Sequence, residues 1–464
     1  MPLMMAVFNH PFNFKFRNET MTKKILMSTL AMSVGLALSP AHAADELILI
    51  KNVNVFDGIQ DKLQENKDVL IEDNIIKMVA TGIVVPENTM VIDGAGRTMT
   101  PGFIDAHTHL YWNTSVAEML YSPADYHSIM ALSEAESTLM RGYTTIRDIA
   151  GSVFGIRKAI DQGLYPGPRI YTSGAAVGMT AGHGDMRSPF VEPRQFGGPA
   201  MTEFETLGFT KFADGVPEVL GAARVEMRKG ADFLKMFVGG AVTGLYDPLD
   251  IAEYSEEEIK AFVSEADRWN TYAAVHTYTD KSTQAAIRAG AKSLEHNNLI
   301  SEETIKMAVK NDVMISAQTA LFMGEMPAGF SPAQVARQQQ AKDGLDNMMK
   351  LAKKHNAKIL FGSDMVGSRD FKAQHVNEFV YRTKWFTSAE VLKQATSINA
   401  QALELTGPRN PYPKAKLGVI QEGAYADILL HNNNPLEDIT VLTKPEENLA
   451  LIMKDGEIFK NTIK

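Results

Sequence analysis

Cysteine is absent from the 464 residues, which excludes disulfide bridges, zinc–thiolate sites and a thiol nucleophile. Any metal held by this chain must rest on histidine, carboxylate or a modified lysine. Positive charge is scarce as well: 46 Lys and Arg stand against 55 Asp and Glu, a formal net charge of −9. Such a surface disfavours nucleic acid and anionic membranes as partners. Long apolar runs are missing too, since the stretch from Ile25 to Leu38 is too short to span a bilayer. With 45% hydrophobic and 22% charged residues, the chain has the composition of a globular protein with one large core and room for a smaller domain.

The apolar stretch has a basic start at Lys23 and Lys24 and ends in Ala41-His42-Ala43. A positive head, a short greasy middle and a small-residue end predict a secretory signal peptide that starts at Met21 and is cleaved after Ala43. Residues 1–20 then form an upstream extension, and the mature protein is periplasmic or secreted. Without a cysteine after the signal, a lipid anchor is not expected.

Eight short apolar runs recur between residues 98 and 364, with helical or loop segments between them. They cover 101–107, 143–148, 169–174, 232–238, 272–276, 292–296, 313–317 and 358–364. Alternation of this kind predicts an α/β fold, a (β/α)8 TIM barrel. Capping signals at Ser255-Glu-Glu-Glu258 and Ser301-Glu-Glu-Thr304 support helices between the runs. Both ends of the chain are strand-like and turn-rich, and neither could build a core alone, so they are expected to pair into a small β-sandwich domain. The expected division is signal and extension at 1–43, sandwich at 44–97, barrel at 98–405 and the rest of the sandwich at 406–464. The Gly-, Met- and Pro-rich segment 176–215 is expected to be a loop that covers the barrel mouth.

A barrel of this kind gathers its chemistry where strands end. His107 and His109 close the first run; at i and i+2 of a strand they share a face and can grip one metal ion. Lys235 sits in the fourth run, His276 and His296 end the fifth and sixth, and Asp364 ends the eighth. Each alone admits a plainer reading: loop histidines, an edge lysine that reaches solvent, satisfied core histidines, a helix N-cap aspartate. Six such residues at the ends of five strands, in one order, are hard to explain as independent accidents.

With the run Pro101-Gly-Phe-Ile-Asp-Ala-His-Thr-His109 and the tail from Leu417 to Ile428, the chain from residue 45 onward resembles the amidohydrolase superfamily. The likeness is strongest to its prolidase-, imidazolonepropionase- and ochratoxinase-like branch. The resemblance implies a binuclear centre; nitrogen and oxygen ligands suit zinc, cobalt, manganese and iron, with zinc the default. In that centre His107, His109 and Asp364 hold the more buried ion, His276 and His296 the more exposed one, and a carbamylated Lys235 bridges the two. It also implies that His183 touches the substrate carbonyl, the alternative being an ordinary loop histidine. Tyr246, and with it Arg187, Arg194 and Arg369, are candidates to hold a substrate carboxylate.

The chemistry agrees with that assignment. A carbamate is anionic, so it removes the cost of burying a lysine cation, and two dications about 3.5–4 Å apart can hold and ionise one hydroxide. Asp364 is the expected proton shuttle. The expected reaction is hydrolysis of an amide bond in a dipeptide or N-acyl amino acid, a small-molecule substrate. A mononuclear cyclic amidine hydrolase or deaminase is the alternative, against which Lys235 weighs; a non-catalytic relative would have lost ligands. A homo-oligomer is a further expectation.

Overall fold

A computed structural model describes residues 47–324 and 329–463; the expected signal segment lies outside them. The first five strands are β1 (Leu47–Val55), β2 (Gln64–Glu72), β3 (Ile75–Ala80), β4 (Met90–Asp93) and β5 (Thr98–Pro101). The parallel strands follow: β6 (Phe103–Thr108), β7 (Tyr143–Asp148), β8 (Arg169–Thr172), β9 (Ala176–Gly178), β10 (Thr210–Phe212), β11 (Leu234–Phe237), β12 (Ala273–Thr279), β13 (Ser293–Leu299), β14 (Met314–Ala317) and β15 (Ile359–Phe361). The chain closes with β16 (Ile428–His431), β17 (Leu449–Lys454) and β18 (Glu457–Asn461).

The two ends do pair. The ladder runs β18-β17-β16-β5-β1-β2-β3, with β4 also on β1, and the seam between the ends is the antiparallel pair β16 and β5, with Leu430 opposite Met99. The expectation was a sandwich; the hydrogen bonding is one continuous eight-stranded sheet, because β1 pairs with β4 along its first half and with β5 along its second. Ile50, Val53, Val69, Ile71, Leu451 and Met453 from both ends meet in its own apolar core. Fully burying each such side chain is worth about 1.5–3 kcal/mol, and neither end supplies enough of them alone.

All eight expected inner runs are strands, arranged as a sheet β6-β7-β8 and a sheet β10-β9-β11-β12-β13-β14-β15. Their parallel order is consistent with the expected barrel, although the ladders do not run unbroken around it. One break lies inside the third run, where β8 pairs with β7 and, after Gly174, β9 pairs with β10 and β11. Gly174 has φ +66, and a Cβ there would lie 2.3 Å from Glu226 Oε2, so only glycine makes this step between sheets. Across the other break, between β15 and β6, side chains replace much of the ladder: Ser363 donates to the Asp105 carboxylate, and Asn399 bridges the two strands. Asn399 donates from Nδ2 to Ile104 O and Phe361 O and accepts Phe361 N–H on Oδ1 at 2.9 Å.

The segment 176–215 is not simply a loop. It contains β9, β10 and the helix Glu203–Leu207, since Ala176 and Val177 are fully buried and Val177 pairs with Met236 of β11. Both expected caps are present: Ser255 and Glu258 form a reciprocal capping box on helix Glu256–Arg268, and Ser301 accepts from Thr304 N on helix Glu302–Lys310. Each is worth about 1 kcal/mol. The first helix then turns Ile259, Phe262, Val263 and Ala266 onto the strands, the spacing of one helical face.

Candidate active site

His107 and His109 leave β6 on one face, as strand geometry demands, with ring centroids 5.3 Å apart. Asp364 reaches them from the end of β15. That approach depends on Gly362, where a Cβ would lie 2.7 Å from His107 Cβ, and it is locked by Asp364 N–H donating to His107 O at 2.8 Å. Asp364 itself takes φ 53, a conformation rare outside glycine and asparagine-like residues. Its Oδ1 lies 2.9 Å from His109 Nε2 and 3.3 Å from His107 Nε2. One donor atom from each residue falls within 4.8 Å of the others, so the three can hold one cation. Burial by itself would raise the Asp364 pKa, but the two imidazoles hold it well below the usual carboxylate range.

The second group comes from neighbouring parallel strands. His276 on β12 and His296 on β13 have ring centroids 4.5 Å apart, His296 is 5.2 Å from the His107 ring, and its Nε2 is 4.0 Å from Asp364 Oδ2. Burial, aided by neighbouring positive groups, pushes both imidazoles well below their ordinary pKa. They are therefore neutral, and His276 Nε2 and His296 Nδ1 are buried without hydrogen-bond partners. A neutral imidazole keeps one nitrogen lone pair that can ligate a metal ion. Lys235 on β11 is 2% exposed, and burial lowers its ammonium to about 8. All six residues line one cavity of about 610 Å³.

His183 lines the same cavity, stacked on His276 at 4.4 Å and 21°. Its backbone N–H donates to Glu253 Oε1 at 2.7 Å. Tyr246 lies elsewhere: its hydroxyl donates to Arg187 O at 2.5 Å, while Thr243 and Leu245 of its loop face the cavity. The three arginines are also committed elsewhere, Arg187 to Asp185, Arg194 to Glu218 and Arg369 to Ser137. No arginine is among the described residues of the cavity wall.

A sequence profile described as the Amidohydrolase family matches residues 98–459. The chain belongs to the amidohydrolase family. Ochratoxinase from Aspergillus niger is 30% identical over 417 residues, covering 85% of this chain and 83% of that protein. A solved amidohydrolase superposes with a TM-score of 0.83 at 30% identity, covering 90% of this chain and 100% of the other. A prolidase solved with N-methylphosphonate-L-proline gives 0.82 at 31% identity, with the same coverage.

This amidohydrolase carries supporting residues that were not expected. Glu295 Oε2 accepts from His107 Nδ1 at 2.9 Å, and Arg147, fully buried, donates to Glu295 Oε1 at 2.8 Å. Burial opposes its charge, yet Arg147 and then His107 hold the Glu295 carboxyl far below the usual range. The pair fixes the His107 tautomer and turns Nε2 toward the cavity, as outer partners of metal-binding histidines do. Lys372 Nζ donates to His109 O and Asn113 Oδ1, both at 2.9 Å, and ties down the turn after β6. The available signal was a charge within an apolar run, Arg147 in the second and Glu295 in the sixth.

Proposed function

We propose that this amidohydrolase hydrolyses the amide bond of a dipeptide or N-acyl amino acid on a binuclear metal centre. His107, His109 and Asp364 would hold one cation, His276 and His296 the other, with a carbamate on Lys235 between them. One observation carries the reading: six nitrogen and oxygen donors from five strands line a single cavity. The lowered Lys235 pKa, about 8, supports the carbamate, because a neutral amine can add to carbon dioxide with loss of one proton. Divalent cations bound there would supply an activated water and polarise the scissile carbonyl.

The residues of the chain do the rest. Asp364 takes the proton from the attacking water on a carboxylate oxygen and returns it to the leaving amine nitrogen. His183 faces the substrate carbonyl oxygen. Trp112, Phe204, Phe209, Phe371 and Met186 line the wall, which favours a bulky apolar group beside the cleaved bond. The likeness to a prolidase bound to a proline derivative and to an ochratoxinase supports an amino-acid leaving group.

Metal analysis with Lys235→Ala tests the proposal. Two equivalents of zinc-like metal in the parent, and activity lost in the variant but partly restored by short carboxylic acids, are expected. One equivalent and an undiminished variant would remove the binuclear reading. We also propose that the reaction occurs after export, on the evidence of the signal-like sequence ending at Ala43. Exported material that still begins at Met1 or Met21 would contradict the signal peptide, and activity confined to the cytoplasm would exclude reaction after export.

A further inference from the structure

We infer that Asp247 is a positioning residue that orients the His183 ring toward the substrate carbonyl, an inference that rests on the proposed contact of His183 with substrate. Asp247 is 0% exposed, and both of its carboxylate oxygens lack hydrogen-bond partners, as does His183 Nδ1. Those groups face each other, with Asp247 Oδ2 3.5 Å from His183 Nδ1. A buried carboxylate without a partner costs several kcal/mol, and catalytic hydrogen bonds that are long in a free site shorten when substrate binds. The imidazole is the partner placed to meet that need.

The surroundings hold the acid in place. Arg337 donates to Ala241 O at 2.9 Å, Gly244 O at 2.8 Å and Asp247 O at 3.0 Å, which fastens the loop after β11 into one shape. Gly244 packs against the carboxylate so closely that a Cβ would lie 1.7 Å from Asp247 Oδ1. From the same segment, Glu253 Oε1 takes the His183 backbone N–H, and the stack on His276 fixes the plane of the ring. His183 is thus gripped at its backbone and face with Asp247 facing Nδ1, and the exposed 17% of its side chain belongs to the cavity it lines. The pair then carries two protons, one between the Asp247 carboxylate and Nδ1 and one on Nε2, and the Nε2 hydrogen donates to the carbonyl oxygen. Such alignment lowers a barrier only if it is set before reaction.

Two measurements on the full chain test this. In two-bond proton–nitrogen spectra of protein labelled with 15N-histidine, the signals lost in His183→Ala identify that ring. Asp247→Asn, which keeps the side-chain volume, is expected to change the tautomer pattern of the His183 signals alone, with an unchanged melting temperature and metal content. An unaltered His183 pattern overturns the inference, and this arm needs no substrate. In hydrolysis of N-benzoyl-L-phenylalanine and glycyl-L-proline, Asp247→Asn is expected to lower kcat roughly 10–100-fold with little change in KM, and to cost nothing further in a His183→Ala background. Fully additive losses overturn it. Full activity in His183→Ala would instead remove the substrate contact, while the spectra still decide whether Asp247 sets the ring.

Discussion

Glu295 and His107, 188 residues apart in sequence, share a hydrogen bond of 2.9 Å between Oε2 and Nδ1, and Arg147 completes the chain through the other carboxylate oxygen. All three are almost fully buried. Glu295→Gln removes the charge that both neighbours require. Breaking a buried pair leaves an unmatched cation and costs about 3 kcal/mol, and at the proposed metal centre the loss of a carboxylate behind His107 should weaken metal binding roughly 10–100-fold. Thermal unfolding and competitive metal titration with a chelator check both effects. A variant with parental metal affinity would show that Glu295 serves Arg147 only.

Asn399 stands in for a missing strand ladder. Its amide satisfies Ile104 O, Phe361 O and Phe361 N–H, three buried backbone groups on the two strands that carry His107 and lead to Asp364. Leaving such groups unpaired costs about 1–3 kcal/mol each before relaxation. Asn399→Ala should therefore lower stability by about 3 kcal/mol in urea unfolding, with the steepness of the transition unchanged. At the proposed binuclear centre, loosening of the β6 to β15 seam should also weaken metal binding at the His107, His109 and Asp364 group more than at His276 and His296. A loss below about 0.5 kcal/mol, the scale of an ordinary surface change, would mean that the bonds from Asp364 to His107 and from Ser363 to Asp105 close the seam without Asn399.

These two residues mark where the sequence stops being legible. The inner strands and the six donors can be read because each donor closes an apolar run or, like Lys235, is a charge inside one, and strand alternation assigns it a face. Glu295 could not be read that way. It precedes His296, so alternation sends it to the opposite side, yet both reach His107 because His296 turns to φ 74. Asn399 belongs to no motif; it opens a helix after the wide turn Gln394–Ile398 and meets its partners only in the folded chain. For Tyr246, a candidate for a substrate carboxylate, sequence does not reveal how its loop turns, and its hydroxyl donates to Arg187 O. The short strands β9 and β10, three residues each, are below the length at which periodicity separates strand from loop.

His431 gives the outer sheet a titrating seam. It closes β16, is 0% exposed, and lies 2.9 Å from Thr100 Oγ1 through Nε2 and 3.2 Å from Asn448 Nδ2 through Nδ1. Burial lowers its pKa to about 3, so the folded protein keeps the ring neutral while the unfolded chain protonates it near its ordinary value of about 6.5. Above that value both states are neutral and the group has no effect. As pH falls below it, the unfolded state gains a proton that the folded state refuses, and stability declines by about 1.4 kcal/mol per pH unit until the folded value near 3 is reached. The comparison is between the parent and His431→Gln in urea unfolding at pH 7, 6 and 5. The glutamine variant should be less stable at pH 7, because its fit to Thr100 and Asn448 is poorer, and the gap should shrink as pH falls. A gap that stays constant across that range would mean that His431 is protonated in the folded state as readily as in the unfolded one, contrary to its burial at the seam where the two ends of the chain meet.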